Sequence, residues 1–289
     1  MLEVRELVKR YGDLVAVDGV ALTIPKGICF GLLGPNGAGK STTIEIMEGI
    51  SNPTEGQILY NGNKVDKSFK SIIGIQFQST SLQDFLTVLE TLKLFESLYA
   101  STVPLDEIID ICQLKDFIHQ DTRKISGGQR QRLLLGVAMI NDPEILFLDE
   151  PTTGLDPHSR RNFWNLIEAI KKKNKTIILT THYMEEAYML CDTIAIMDKG
   201  KVIAEGSPRE LLAKHYNGAH VSLSKNVVLP KDFPWKTNRV FDRFEFHTED
   251  VKSCLDYLLN HNVDMSSLEV KKQTLDDLFI EITGKNLRH

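Results

Sequence analysis

One stretch, Gly34-Pro35-Asn36-Gly37-Ala38-Gly39-Lys40-Ser41-Thr42, constrains this chain more than any other. It fits the pattern G-x-x-x-x-G-K-[ST], and its flanks fit the same reading. The apolar run Ile28 to Leu33 before it reads as a buried strand, and Thr43 to Met47 after it reads as the start of a helix. Glycines let a backbone close around an anion, so that successive N–H groups and the positive end of the helix dipole face phosphate oxygens. Lys40 adds a mobile charge for the β- and γ-phosphates, and the Ser41 hydroxyl is the expected Mg²⁺ ligand. The spacing, the lysine and both flanks together make this a nucleotide-binding loop rather than a plain glycine-rich turn.

Other strands run into polar residues in the same way. Glu144 to Asp149 is apolar until it ends in Asp149-Glu150, where Asp149 is suited to hold Mg²⁺ through water and Glu150 to polarise an attacking water. Thr176 to Thr181 ends at His182, well placed to contact a γ-phosphate, and Ile72 to Gln78 ends in a glutamine. In an open parallel sheet ligands sit beyond the carboxyl ends of the strands, so these residues are expected to share one edge. Ser126 is placed as a helix N-cap with the amides of Gly127 and Gly128 accessible, which makes either a second anion site or an ordinary cap. Tyr11, at a turn beside the strand that feeds the loop, reads equally as a half-buried strand aromatic or as a ring that stacks on a nucleobase.

Around these motifs the chain divides by texture. Residues 2–30 alternate like antiparallel strands, and residues 79–140 carry helical periodicity over Leu86 to Leu98 and Leu105 to Leu114. The longest apolar run, Leu133 to Ile140, is expected as a core helix segment. Pro151 to Asp156 is a turn before an amphipathic helix from Ser159 to Lys171, and a hairpin is expected to turn on Lys199-Gly200. A helix from Pro208 to His215 closes a first domain, 1–216. Beyond Asn217-Gly218 the strands Val221 to Leu223, Val240 to His247 and Leu268 to Lys271, with helices Val251 to Leu259 and Leu275 to Ile282, predict a small α+β appendage over 217–289.

Composition excludes several classes. A net charge of −5 gives no electrostatic reason to bind nucleic acid, and Lys171-Lys172-Lys173 reads as a solvated helix end. Cys29, Cys112, Cys191 and Cys254 are scattered with no C-x-x-C pair, which suits buried free thiols in a reducing cytosol. The N-terminus lacks the layout of a signal peptide, and no apolar run approaches the ~20 residues of a spanning helix. Any membrane role is therefore expected to come through a partner.

With these pieces in place, residues 1–216 resemble an ATP-binding-cassette ATPase. Gly34 to Thr42 is similar to the family's Walker A, Gln78 to its Q-loop glutamine, Ser126-Gly127-Gly128-Gln129 to its signature motif and Asp149-Glu150 to its Walker B. Gly154-Leu155-Asp156 resembles the D-loop, His182 the switch histidine and Tyr11 the adenine-stacking aromatic. Two departures are Ile125, where leucine usually precedes the signature serine, and Phe77, where proline usually precedes the Q-loop glutamine.

The resemblance implies an α/β fold: a P-loop NTPase core with an antiparallel β subdomain and an inserted helical subdomain, plus the C-terminal appendage. It implies ATP and Mg²⁺ as cofactors, with Ser41, Gln78 and Asp149 toward the metal. It implies a head-to-tail pairing with a second cassette, expected to be a copy of this chain, so that Ser126 to Gln129 would serve the partner's nucleotide and Asp156 would line the seam. Glu150 would be the base and His182 would hold the γ-phosphate. A separate transmembrane permease would dock on the helical subdomain at the cytoplasmic face of the membrane. The segment Gln273 to Gly284 resembles the tail of stand-alone ATPases of bacterial drug- and antibiotic-type exporters, the daunorubicin- and bacitracin-resistance type. An importer ATPase is separated from this reading by that tail alone. A cassette protein acting on ribosomes or DNA is disfavoured by the single cassette and the lack of a basic tract or zinc-type cysteines.

Overall fold

A computed structural model describes residues 1–78, 80–230 and 232–284. The chain begins with β1 (Leu2–Tyr11) and β2 (Leu14–Ile24), an antiparallel pair, then β3 (Cys29–Leu33), which feeds the phosphate loop and α1 (Lys40–Met47). After α1 come β4 (Glu55–Tyr60), β5 (Asn63–Lys64) and β6 (Ile73–Gln76). The helices α2 (Val88–Glu96), α3 (Leu105–Ile111) and α4 (Gly127–Met139) follow, so helical periodicity is realised where it was expected, with shorter bounds. Next are β7 (Ile145–Asp149), α5 (Pro157–Lys171), β8 (Thr176–Thr180), α6 (Met184–Leu190), β9 (Thr193–Asp198), β10 (Lys201–Gly206) and α7 (Pro208–His215). The β9–β10 hairpin turns on Lys199 and Gly200, both at positive φ, as its sequence predicts.

Two sheets form the body. One is antiparallel, ordered β2-β1-β4-β5. The other runs β10-β9-β3-β8-β7-β6, with β9, β3, β8, β7 and β6 parallel and β10 antiparallel at the edge. The central strands are apolar on both faces because both faces are covered. In β3, Phe30 and Leu32 pack with the antiparallel sheet and α1, whereas Cys29 and Leu33 pack with the helices on the other side. Alternation in β7 and β8 splits the same way: Phe147 and Ile178 face the first layer, and Leu146, Leu148, Ile177 and Leu179 the second.

The C-terminal region holds β11 (Ala219–Ser224), β12 (Asn238–Val240), β13 (Arg243–Thr248), α8 (Val251–Asn260) and β14 (Glu269–Lys271). Its sheet, β12-β13-β11-β14, has a small core of its own built on Val221, Leu223, Phe246, Cys254 and Leu258. The single strand expected over Val240 to His247 is in fact two, turning at Phe241, whose φ is +51° and whose side chain is fully exposed. The last helix, α9 (Leu275–Thr283), leaves this sheet and lays Leu275, Leu278 and Phe279 into the main core against α6 and α7. This region is thus joined to the rest of the molecule at both of its ends. All four cysteines are buried free thiols, and Cys29 Sγ lies 3.9 Å from Cys191 Sγ.

Candidate nucleotide site

The carboxyl ends of β3, β8, β7 and β6 lie side by side, and each delivers residues to one edge of the sheet. Beyond β3 the loop makes the backbone path its glycines allow. Gly34 and Gly39 sit at positive φ, and a Cβ there would stand 2.4 Å from the Met197 carbonyl oxygen and 2.3 Å from that of Ala16. Any larger residue would collide with backbone. Lys40 folds back over the loop, where Nζ donates to the carbonyl oxygens of Gly34 (2.7 Å) and Pro35 (3.1 Å). Burial pulls its pKa down, and the carboxylates of Glu150 and Asp149 oppose that pull.

A cleft of about 930 Å³ opens over this loop, walled by Asn36, Gly37, Gly39, Lys40, Ser41 and Thr42 on one side and by Gln78, Glu150 and His182 on the other. Glu150 is the hub. Its Oε2 accepts from Gln78 Nε2 at 2.9 Å and from Thr153 Oγ1 at 3.2 Å, and it lies 3.3 Å from His182 Nδ1. Its backbone is held at φ +46°, with the amide donating to the Thr180 carbonyl (3.1 Å) and hydroxyl (3.0 Å). A non-glycine residue in that conformation carries strain that neighbours must compensate, which is common where a side chain is aimed at a reaction. The Thr180 hydroxyl also donates to Asp149 Oδ1, so one threonine orients both acids. Its role was missed in the sequence, although a hydroxyl ending an apolar strand beside two acids was a usable signal.

The structure does not bring every expected residue into that cleft. Tyr11 stands at the end of β1, 49 % exposed, with the Lys9 ammonium 5.0 Å from its ring centre. Ser126 to Gln129 and Asp156 lie elsewhere, and they lie together. Ser126 caps α4: its hydroxyl accepts from the Gln129 amide (3.2 Å), and the Gln129 side chain accepts from the Ser126 amide (2.8 Å). Because that hydroxyl oxygen accepts within the cap, its proton is left to donate outward. Gly128 presses against α5, where a Cβ would be 2.9 Å from Ser159 Oγ. Ser159 Oγ in turn donates to Asp156 Oδ2 at 2.6 Å, and Asp156 also caps α5 through the amides of His158 and Ser159. These hydrogen bonds, the Ser159 hydroxyl first, hold the Asp156 carboxyl below its usual pKa.

The oxygen groups in and beside the cleft suit a hard cation. Ser41 offers a hydroxyl and Gln78, with its amide nitrogen on Glu150, an amide oxygen; Asp149, next to Glu150 and bonded by Thr180, adds a carboxylate beside the cleft. Among the described residues there is no group of three or more His, Cys, Asp or Glu side chains that could hold a metal ion.

Comparison with known proteins places this geometry. Residues 17–153 match the family model described as ABC transporter. The Nod factor export ATP-binding protein I of Cupriavidus metallidurans is 32 % identical over 100 % of this chain and 99 % of its own length. That of Sinorhizobium fredii is 42 % identical over 99 % of this chain and 87 % of its own. A dimeric ATP-binding cassette solved in a post-hydrolysis state with ADP and Pi superposes with a TM-score of 0.64 at 27 % identity, covering 72 % of this chain and 98 % of that one. A phosphate loop facing two strand-end acids, and kinship running the length of both curated relatives, lead to one conclusion: the chain belongs to the family of ABC transporter ATP-binding proteins.

Proposed function

We propose that this protein is the ATP-hydrolysing subunit of an ABC exporter, acting as a homodimer on a separate membrane permease at the cytoplasmic face. The observation that carries the reading is the single cleft in which Lys40 and Ser41 of the loop face Gln78, Glu150 and His182. Lys40 and the α1 amides would receive the β- and γ-phosphates. Glu150, whose Oε2 accepts from Gln78 and Thr153 and lies beside the His182 ring, would use the carboxylate to take the proton from the attacking water. His182 would keep that carboxylate and the γ-phosphate in register. Mg²⁺, when bound beside Ser41, Gln78 and Asp149, would neutralise charge on the phosphates.

The separation of the Ser126 turn from the cleft supports a shared site. A serine proton and two glycine amides that lie outside the chain's own phosphate-loop cleft could serve a nucleotide held by another copy. Asp156, joined to that turn through Ser159, would stand at the seam. Among the described residues no helix is long and apolar enough to cross a membrane, so transport would need another chain. Export is favoured by the curated relatives, which are named for Nod factor export and match this chain almost end to end.

The test is Glu150→Gln. Steady-state hydrolysis should fall by about a hundredfold or more while ATP is retained. Turnover at the wild-type rate would remove Glu150 from its role. For the shared site, mixed dimers carrying both Ser126→Arg and Lys40→Ala on one chain and neither on the other should have no working site; a surviving site on the wild-type chain would refute the sandwich.

A further inference from the structure

Behind the cleft lies a carboxylate that the scheme above does not use. Glu186, on α6 four residues past His182, is fully buried. Its Oε1 accepts from Thr152 Oγ1 (2.8 Å) and from the indole Nε1 of Trp164 (2.9 Å). Thr152 belongs to the turn that begins at Glu150, and Trp164 belongs to α5, which Asp156 caps. One oxygen therefore ties together the turn of the acids, the helix behind it and the helix that follows His182.

The other oxygen is less well satisfied. Glu186 Oε2 is buried and receives no hydrogen bond of good geometry, although the Thr181 hydroxyl, one residue before His182, interacts with the carboxyl; Nε of Arg160 is also buried without a partner among the described residues. The Arg160 guanidinium lies 3.9 Å from the ring centre of Tyr183, whose ring in turn lies tilted against His182 with centres 4.2 Å apart. Burial raises the Glu186 pKa, while the hydrogen bonds to it and the Arg160 charge hold it down. A buried acid kept at this cost does not improve packing, since an apolar side chain would fill the space more cheaply. What it supplies is orientation, because a shared acceptor fixes two donors relative to each other.

We propose that Glu186 is a positioning residue for hydrolysis: through Thr152 it fixes the turn bearing Glu150, and through α6 it holds that turn in register with His182. The inference rests on the reading of Glu150 and His182 given above. The effect runs through geometry alone, because Glu186 touches neither nucleotide nor water in that scheme.

The experiment uses the full chain and three variants. Glu186→Ala should lower kcat by about tenfold to a hundredfold with KM for ATP within about threefold, since misplacement of a base affects the chemical step more than binding. Glu186→Gln, which keeps an oxygen for Thr152 and Trp164, should restore most of that loss. Thr152→Val, which swaps a hydroxyl for a methyl group, should reproduce the kcat loss even where Glu186→Ala fails to fold. The chain has two tryptophans, so in a Trp235→Phe background the emission of Trp164 reports the tether directly and should shift in Glu186→Ala but not in Glu186→Gln. Variants that lose thermal stability yet hydrolyse bound ATP at the wild-type kcat would overturn the proposal and leave Glu186 a packing residue. A wild-type chain with no ATPase activity would overturn both this inference and the reading beneath it.

Discussion

The N-termini of α1 and α4 are both candidate seats for an anion, and they are finished in opposite ways. The first begins at Gly39, in a left-handed conformation, with no side chain capping it. The second begins at Ser126 inside a complete capping box, where Gln129 returns the bond. An uncapped helix start leaves its first amides without partners, a cost that an incoming phosphate removes. A capped start is stable alone and keeps only a hydroxyl proton and two glycine amides for anything outside. The open end therefore gains most from its ligand, and the closed end, on the pairing proposed above, would receive a ligand brought by another copy. Lys40 underlines the contrast, since its Nζ bonds the loop's own carbonyls and the residue is only 8 % exposed.

This contrast can be broken in three places. The largest effect is expected at the open end: Lys40→Ala should weaken ATP binding by about a hundredfold, measured by calorimetry, because a charge-assisted phosphate contact is lost. Affinity unchanged in that variant would mean that the α1 amides suffice. A smaller effect is expected at the closed end. Asp caps a helix as well as Ser does, so Ser126→Asp should keep the melting temperature within about 2 °C. Its negative charge should nonetheless weaken ATP-driven dimerisation by about tenfold in a Glu150→Gln background, read by light scattering. Full dimerisation would show that the cap is only a cap.

The smallest effect concerns the far end of α1. Glu48 is buried there, and its carboxyl is pushed up to about 8 from 4.5, first by burial and then by Asp149 and Glu45. A carboxyl raised in the folded state stays neutral while its unfolded counterpart ionises. Stability is therefore lost as pH rises from 4.5 towards 8 and levels off above it. Glu48→Gln should flatten this slope, by about 1 kcal/mol between pH 6 and pH 7, in urea unfolding curves. An identical slope in both proteins would show that Glu48 is solvated and charged throughout.

Much of the site was legible because chemistry at strand ends is written locally. The glycine spacing, the apolar runs and the residues that end them, Gln78, Glu150 and His182, could be read one strand at a time, and the sheet brings them together. What joins them was not legible. Thr180 orients Asp149 and Glu150 from a strand some thirty positions away, and Glu186 sits in an apolar stripe with Met184, Ala187 and Leu190 where a carboxylate is unexpected. Pairings of that kind are fixed by packing, which leaves no spacing to read. In the C-terminal region the break at Phe241 carries no glycine or proline, so Val240 to His247 looked continuous. The apolar stripe of α9 announced a helix but not the surface it covers.

That destination of α9 has a consequence for how the molecule is made. Leu278 and Phe279 have no exposed surface, and the wall they complete belongs to elements finished some sixty residues earlier. A chain leaving the ribosome must keep an oily seam open on α6 and α7 until α9 emerges. Synthesis stopped anywhere in the intervening stretch would release a cassette with its site already written but its outer surface unsealed.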